Sequence, residues 1–222
     1  MTGTFEKYEH GAYHWGKLRR RGWHYHARLH ARYHWFVQNT PHGTIIDLGC
    51  GDGALTQLLQ TGARNVIGIE PDPRAVELAR SLAPGIEFRV GTTEALEKAD
   101  AIVMCEVIEH VADAAAIVRA AREAAPALLI STPQRQAIAA DPLHVHEFDA
   151  DELHDLLTKY YERVTVVVAE PAWLLSLYLR SGIARRFVNL MAAFGLNVFG
   201  LRLHRGRKWH QLYAHASLGR AP

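Results

Sequence analysis

Only two cysteines, Cys50 and Cys105, occur in 222 residues, too few for a disulfide framework, and both fall at the ends of expected interior strands. A reducing, cytoplasmic location is therefore expected. The opening MTGTFEKYEHGAYHW has no apolar segment of the kind a secretory leader carries. Uninterrupted apolar runs are also missing: residues 171–201 are rich in apolar side chains but are broken by Arg180, Arg185, Arg186, Gly182 and Gly195, which excludes a spanning helix there. Internal repeats and low-complexity segments are absent. The most localised lack is of negative charge, since residues 171–222 hold eight Lys or Arg and no Asp or Glu. Residues 1–46 hold seven basic and two acidic residues, and 47–170 hold ten and twenty-one. An acidic centre between basic flanks points to an anionic partner: a phosphate-bearing substrate, an RNA end or a membrane surface.

About half of the chain is apolar, enough for one sizeable core. Periodicity and breakers predict a helix over 15–38, then strands at 44–48, 65–70, 86–90, 101–107 and 127–132. Helices are expected between them at 54–61, 73–82 and 113–124. A helix over 149–160 and strands at 164–169 and 211–218 follow. This alternation implies an α/β fold with a mostly parallel sheet of seven strands covered on both faces. The expected division is an N-terminal helical extension or lid (1–43), a nucleotide-binding core (44–170), an apolar and basic insertion (171–208) and a last strand with tail (209–222).

The sharpest feature is Ile45-Ile46-Asp47-Leu48-Gly49-Cys50-Gly51-Asp52-Gly53, a strand breaking into a glycine turn. Glycine suits positions with positive φ or close ligand approach, and the next helix would offer free N–H groups. Glu70 closes the second strand, where a carboxylate accepts both hydroxyls of a ribose. The run Gly49-Cys50-Gly51-Asp52-Gly53-Ala54 meets the dinucleotide pattern only in its alanine form. Asp47 and Asp52 would repel a pyrophosphate but suit a cationic ligand, so a dehydrogenase is the least favoured reading.

The segment IIDLGCGDG resembles the first motif of class I S-adenosylmethionine-dependent methyltransferases, and IGIEPD resembles the second. The resemblance covers roughly residues 44–170 and the final strand, and implies a Rossmann-like sheet with S-adenosyl-L-methionine as cofactor. It places Asp47, Gly49 and Gly51 at the methionine part and Glu70 at the ribose. Many members carry an Asp after the third strand for the adenine amino group, whereas this chain has Gly91-Thr92-Thr93-Glu94. That T-x-E pattern is similar to ubiquinone-biosynthesis O-methyltransferases. With Cys50, Pro71, Thr93, Glu94 and Cys105 the expected cofactor-binding set is complete.

Cys105-Glu106-Val107-Ile108-Glu109-His110 ends the fourth strand, where a parallel sheet faces its ligand crevice. E-V-I-E-H resembles both the ubiquinone-type O-methyltransferases and the small-RNA 3′-terminal 2′-O-methyltransferases. In both, the two Glu and the His are associated with a divalent metal. His146, in Leu143-His144-Val145-His146-Glu147-Phe148, matches the H-x-F segment of the RNA group. The resemblance thus implies Glu106, Glu109, His110 and His146 around Mg²⁺, Mn²⁺ or Zn²⁺, which would lower the pKa of an acceptor hydroxyl. Without metal, His144 or His146 is the candidate general base, with Glu106 beside them as a third catalytic candidate. Tyr13 and Trp15 are candidate lid contacts.

The expected function is O-methylation of a small aromatic, lipophilic or sugar-like hydroxyl. Two alternatives stand beside it: methylation of an RNA 3′-terminal ribose, and a non-catalytic cofactor-binding regulator. The insertion, with Trp173, Leu177, Phe187 and Phe194 among Arg180, Arg185, Arg186, Arg202, Arg205, Arg207 and Lys208, can cap the site, pair two copies or lie on an anionic membrane.

Overall fold

The computed structural model describes residues 13–135, 143–204 and 208–219; Arg205 and Arg207 of the insertion lie outside them. Among these residues eight strands form one sheet in the order β3-β2-β1-β4-β5-β8-β6-β7. Strands β1 (Gly43–Leu48), β2 (Arg64–Glu70), β3 (Glu87–Val90), β4 (Ala101–Cys105) and β5 (Ala127–Pro133) are parallel, and β8 (Trp209–Ser217) runs antiparallel between β5 and β6 (Arg163–Pro171). The expected mixed, mostly parallel sheet is present, with one strand more than expected. Arg202–Leu203 forms the extra strand, β7, pairing antiparallel with Val168 and Ala169 at the sheet edge. Two residues are too short for a periodic signal, which is why the pattern does not announce it.

Helices α3 (Ala54–Leu59), α4 (Pro73–Leu82), α5 (Ala114–Ala124) and α6 (Ala150–Thr158) join the strands of the core. Their starts follow from local chemistry. Asp72 and Asp113 accept from backbone N–H groups of α4 and α5, and Asp149 with Glu152 makes a reciprocal capping box on α6. The expected helix over 15–38 is instead two: α1 (Tyr13–Leu18) and α2 (Ala27–Asn39), separated by a 3₁₀ turn at Gly22–His24. Helix α1 ends at Leu18, before the like charges of Arg19, Arg20 and Arg21, and Gly22 at φ +58° keeps the chain from resuming one continuous helix.

One core face packs Ile46, Ile67, Ile102, Met104, Leu128 and Ile130 against α5 and α6. The other packs Ile45, Val103 and Leu129 against Tyr33, Trp35 and Phe36 of α2. Alternate residues of the same strands thus serve opposite faces, which is why these strands read as continuous apolar runs. The insertion forms α7 (Ala172–Arg180) and α8 (Gly182–Ala193). No helix among the described residues is long and apolar enough to cross a membrane. Strand order reverses between β1 and β4, so the segments after these two strands open into one crevice.

Candidate active site

The turn after β1 places Gly49, Gly51 and Gly53 at φ +78°, +56° and +74°. A Cβ on Gly49 would stand 2.5 Å from Val107 Cγ2, and one on Gly53 would stand 2.7 Å from Phe88 Cζ. Both conformation and space therefore demand glycine. Gly49 N and Cys50 N donate to the Ile69 carbonyl (2.7 and 3.1 Å), and Gly51 N donates to Glu70 Oε2 (2.9 Å). Glu70 Oε1 accepts from Asp72 N at 3.2 Å. Glu70, buried, thus stitches the end of β2 to the glycine turn.

The two acids of the turn have separate fates. Asp47 is buried and accepts from Thr56 Oγ1 at 2.7 Å. Burial pushes its carboxyl up to about 7, against the Thr56 hydrogen bond and with the charge of Glu70 adding to the rise. It has no cationic partner among the described residues. Asp52, expected to serve a cationic ligand, is instead fully buried under α1. It accepts from His14 N (2.6 Å) and faces His14 Nδ1 (3.1 Å), while its carbonyl accepts from Trp15 Nε1 (2.7 Å). Burial alone would raise its carboxyl, but the His14 contacts outweigh that and hold it below the usual carboxylate range. Helix α1 is therefore latched to the glycine turn through His14 and Trp15, whereas Tyr13 is exposed. Asp52→Ala is expected to remove the His14 half of this latch, leaving the bond from Trp15 Nε1 to the backbone carbonyl. Hydrogen–deuterium exchange over 13–18 would then accelerate about tenfold or more, as the loss of charged hydrogen bonds worth roughly 1.5–3 kcal/mol implies; unchanged exchange would contradict the latch.

At the end of β4, Glu106 takes φ +59°, which stops the strand at Cys105 rather than at the expected residue 107. Its Oε2 pairs with Arg32 Nη1 at 2.8 Å, and its Oε1 accepts from Ser131 Oγ (2.9 Å) and Gln211 Nε2 (2.7 Å). Glu170, at φ +62° and fully buried, accepts from Arg28 Nε at 2.6 Å and lies 4.0 Å from Arg32 Nη2. Two arginines one turn apart on α2 thus hold two glutamates in left-handed backbone conformations. Arg32 also donates to Gln211 Oε1 at 2.9 Å. It stays charged, because Glu106 and Glu170 more than offset the effect of its own burial.

Glu109, His110 and His144 bring their ligand atoms within 4.8 Å of one another. This differs from the expected Glu106, Glu109, His110 and His146. Glu106 is given to Arg32, Ser131 and Gln211, and exposed His146 lays its ring against Phe148 at 4.4 Å. Glu109 is buried, and Thr132 Oγ1 donates to its Oε2 at 3.0 Å. Desolvation, then the charge of Glu106, holds its carboxyl well above the ordinary range. His110 Nδ1 lies 3.0 Å from the Leu143 carbonyl, and His144 Nδ1 lies 3.1 Å from Glu147 Oε1. An oxygen acceptor facing Nδ1 fixes the proton there and puts the lone pair on Nε2.

The remaining candidates separate by environment. Glu94 is exposed, and both its oxygens accept from Thr92, so it braces its own turn. Thr93 opens that 3₁₀ turn, and Pro71 is exposed after β2. Burial pushes the Cys50 and Cys105 thiols far up, so both are neutral. Arg32, Gln211 and His210 were not singled out from sequence. Burial, then Arg28, lowers the His210 imidazole to about 3, keeping it neutral beside Glu106 and His144. Its only sequence signal was the basic, His-rich composition of the flanks.

Residues 18–199 match the family model described as a methyltransferase domain. A probable S-adenosylmethionine-dependent methyltransferase of Mycobacterium tuberculosis is 33% identical over 126 residues, covering 51% of this chain and 46% of the relative. A ubiquinone biosynthesis O-methyltransferase of a Methylobacterium species is 39% identical over 87 residues, covering 35% of this chain and 34% of that protein. The matches therefore span about half or less of these relatives. A solved SAM-dependent methyltransferase from Thermotoga maritima superposes with a TM-score of 0.62 at 18% identity, covering 84% of this chain and 87% of that one, and shares the fold. The chain belongs to the methyltransferase domain family, in the class I, S-adenosylmethionine-dependent group.

Proposed function

From that membership we propose that the protein moves the methyl group of S-adenosyl-L-methionine to a hydroxyl of a small aromatic, lipophilic or sugar-like acceptor. The observation that carries the acceptor chemistry is the pairing of Glu109, His110 and His144 at the crevice edge, across the switch point from the glycine turn. The partial likeness to ubiquinone biosynthesis O-methyltransferases supports the same reading.

In this reading Asp47 faces the cationic end of the cofactor and Glu70 its ribose, while Trp15 and His14 hold α1 over the turn. A hydroxyl attacks the sulfonium methyl as it loses its proton, and a neutral imidazole with its lone pair on Nε2 can take that proton. His144, oriented by Glu147, fits the role. Glu106 is excluded from it, since its two oxygens already hold three donors. It positions Arg32 and Gln211 instead.

The donor set also fits a divalent cation. One carboxylate and two imidazoles form a mixed set, and each imidazole is oriented through Nδ1 by an oxygen, as ligating histidines are. Glu109, His110 and His144 would hold it, and such an ion would lower the pKa of an acceptor hydroxyl in place of the general base, because the Nε2 lone pair of His144 can serve a cation or a proton but not both.

Transfer of radiolabelled methyl groups to a panel of catechols, phenols, sugars and RNA oligonucleotides tests the acceptor class. Label confined to RNA ends would replace this reading with the ribose one. In the same assay His144→Ala is expected to lower kcat by about 10²–10⁴ while leaving S-adenosylhomocysteine affinity within a few-fold. Wild-type turnover that survives exhaustive chelation would remove the cation but not the base.

A further inference from the structure

Helices α7 and α8 each bury one stripe and leave the opposite stripe bare. Inward, Leu175, Tyr178 and Ala192 pack with Phe199 on Ala27 and Ala31 of α2. Outward, a surface helix ordinarily carries polar residues. On α8 that outer stripe is instead Ile183, Phe187 and Phe194, at i, i+4 and i+11, exposed by 84%, 60% and 79%. On α7 it is Trp173 and Leu177, 69% and 48% exposed. The inner residues of both helices belong to one buried cluster with Ala27 and Ala31, so each exposed stripe lies on the side of its helix turned away from that cluster. Trp23 extends the surface: it is 56% exposed, and its carbonyl accepts from Asn189 Nδ2 of α8 at 3.5 Å. Single exposed apolar side chains are ordinary, but several at helical spacing on each of two successive helices are not.

The charge around these stripes has one sign. Arg180, Arg185 and Arg186 are exposed on the same two helices, Arg19, Arg20 and Arg21 are exposed next to Trp23, and residues 171–222 contain no acid. A second copy would bring the same arginines against these, at an electrostatic cost. An anionic bilayer matches both features, taking aliphatic and aromatic side chains into its interfacial zone and arginines at its headgroups. The helices run nine and twelve residues, so they lie along such a surface rather than through it.

We propose that the outer face of α7 and α8, together with Trp23, docks this protein on an anionic lipid surface. The docking stands apart from the methyl-transfer reading, because none of its residues touches the crevice groups described above.

Co-sedimentation with phosphatidylcholine vesicles, with and without phosphatidylglycerol, tests it. The protein is expected to pellet with the phosphatidylglycerol vesicles only, and less so as salt rises. The double variant Ile183→Glu/Phe187→Glu removes two inserting side chains and should weaken partitioning by about a hundredfold or more. Arg185→Glu/Arg186→Glu should weaken it by on the order of thirtyfold. All four side chains are exposed, so melting temperature and S-adenosylhomocysteine affinity should hold in both variants, which separates this proposal from failure of the fold or of the methyltransferase reading. Three results would overturn it: no pelleting with anionic vesicles, equal pelleting with pure phosphatidylcholine, or a dimer in sedimentation velocity that Phe187→Glu dissolves without any vesicle binding.

Discussion

Glu70→Ala is expected to lower affinity for S-adenosylhomocysteine by a hundredfold or more in titration calorimetry. Two losses combine. The carboxylate is the acceptor proposed for the ribose hydroxyls, and a hydrogen bond to a charged group contributes about 1.5–3 kcal/mol. The same carboxylate already accepts from Gly51 N and Asp72 N, so its removal also leaves the glycine turn without its brace. Glycine has many accessible conformations, so one turn geometry is kept only where a contact selects it, and Glu70 supplies that contact at Gly51. Glu70→Gln retains the acceptor oxygen and should lose less, about tenfold. An Ala variant within threefold of wild type would show that this carboxylate serves the turn alone and does not meet the ligand.

Asp47→Asn is expected to make the ligand-free protein more stable and the complex weaker. In the folded chain burial raises the Asp47 carboxyl to about 7, against an ordinary value of about 3.9. Because the folded value lies above the unfolded one, the folded chain holds a proton that the unfolded chain has released. Stability therefore falls as pH rises through the window from about 4 to about 7, and the full loss is present above it. About three pKa units correspond to roughly 4 kcal/mol, an upper figure for a carboxylate forced to ionise without a cation. The amide cannot ionise, so its melting temperature should exceed that of wild type by several degrees at pH 8, a gap that closes toward pH 4. The cationic end of S-adenosylmethionine would supply the missing partner in wild type only, so cofactor affinity should fall at least tenfold in the variant. A variant that melts no higher than wild type at pH 8 would sink this account.

These outcomes bear on what the two acids of the turn are for. Sequence reading pairs Asp47 and Asp52 as equivalent neighbours of one cationic ligand. The structure separates them: the Asp52 carboxylate is satisfied by His14 from α1, and Asp47 is buried with the Thr56 hydroxyl as its hydrogen-bond donor and the charge of Glu70 nearby. One acid fastens α1 to the glycine turn, and the other is buried without a cation among the described residues.

Much was legible from local pattern. The strand into Gly49-Cys50-Gly51, the acid at Glu70 and the alternation of strands with helices all depend on neighbours within a few residues. Such local spacing carried the fold class and the resemblance to class I methyltransferases. Long-range pairings were not legible. Glu106 meets Arg32 and Gln211, 74 and 105 positions away in the chain, and no local pattern says that α2 will present two arginines to two glutamates. His144 and His146 are two residues apart and equally plausible on paper, yet only the loop's path sets His144 beside Glu109 and turns His146 to Phe148. The insertion was legible as apolar and basic, but which apolar residues are buried depends on what α7 and α8 find to pack against. Sequence by itself determined the sheet, the glycine turn and the chemistry class, because those follow from short-range sterics and periodicity. Tertiary structure alone decided which ionisable groups are left unpaired, because pairing depends on which distant side chain arrives at the site.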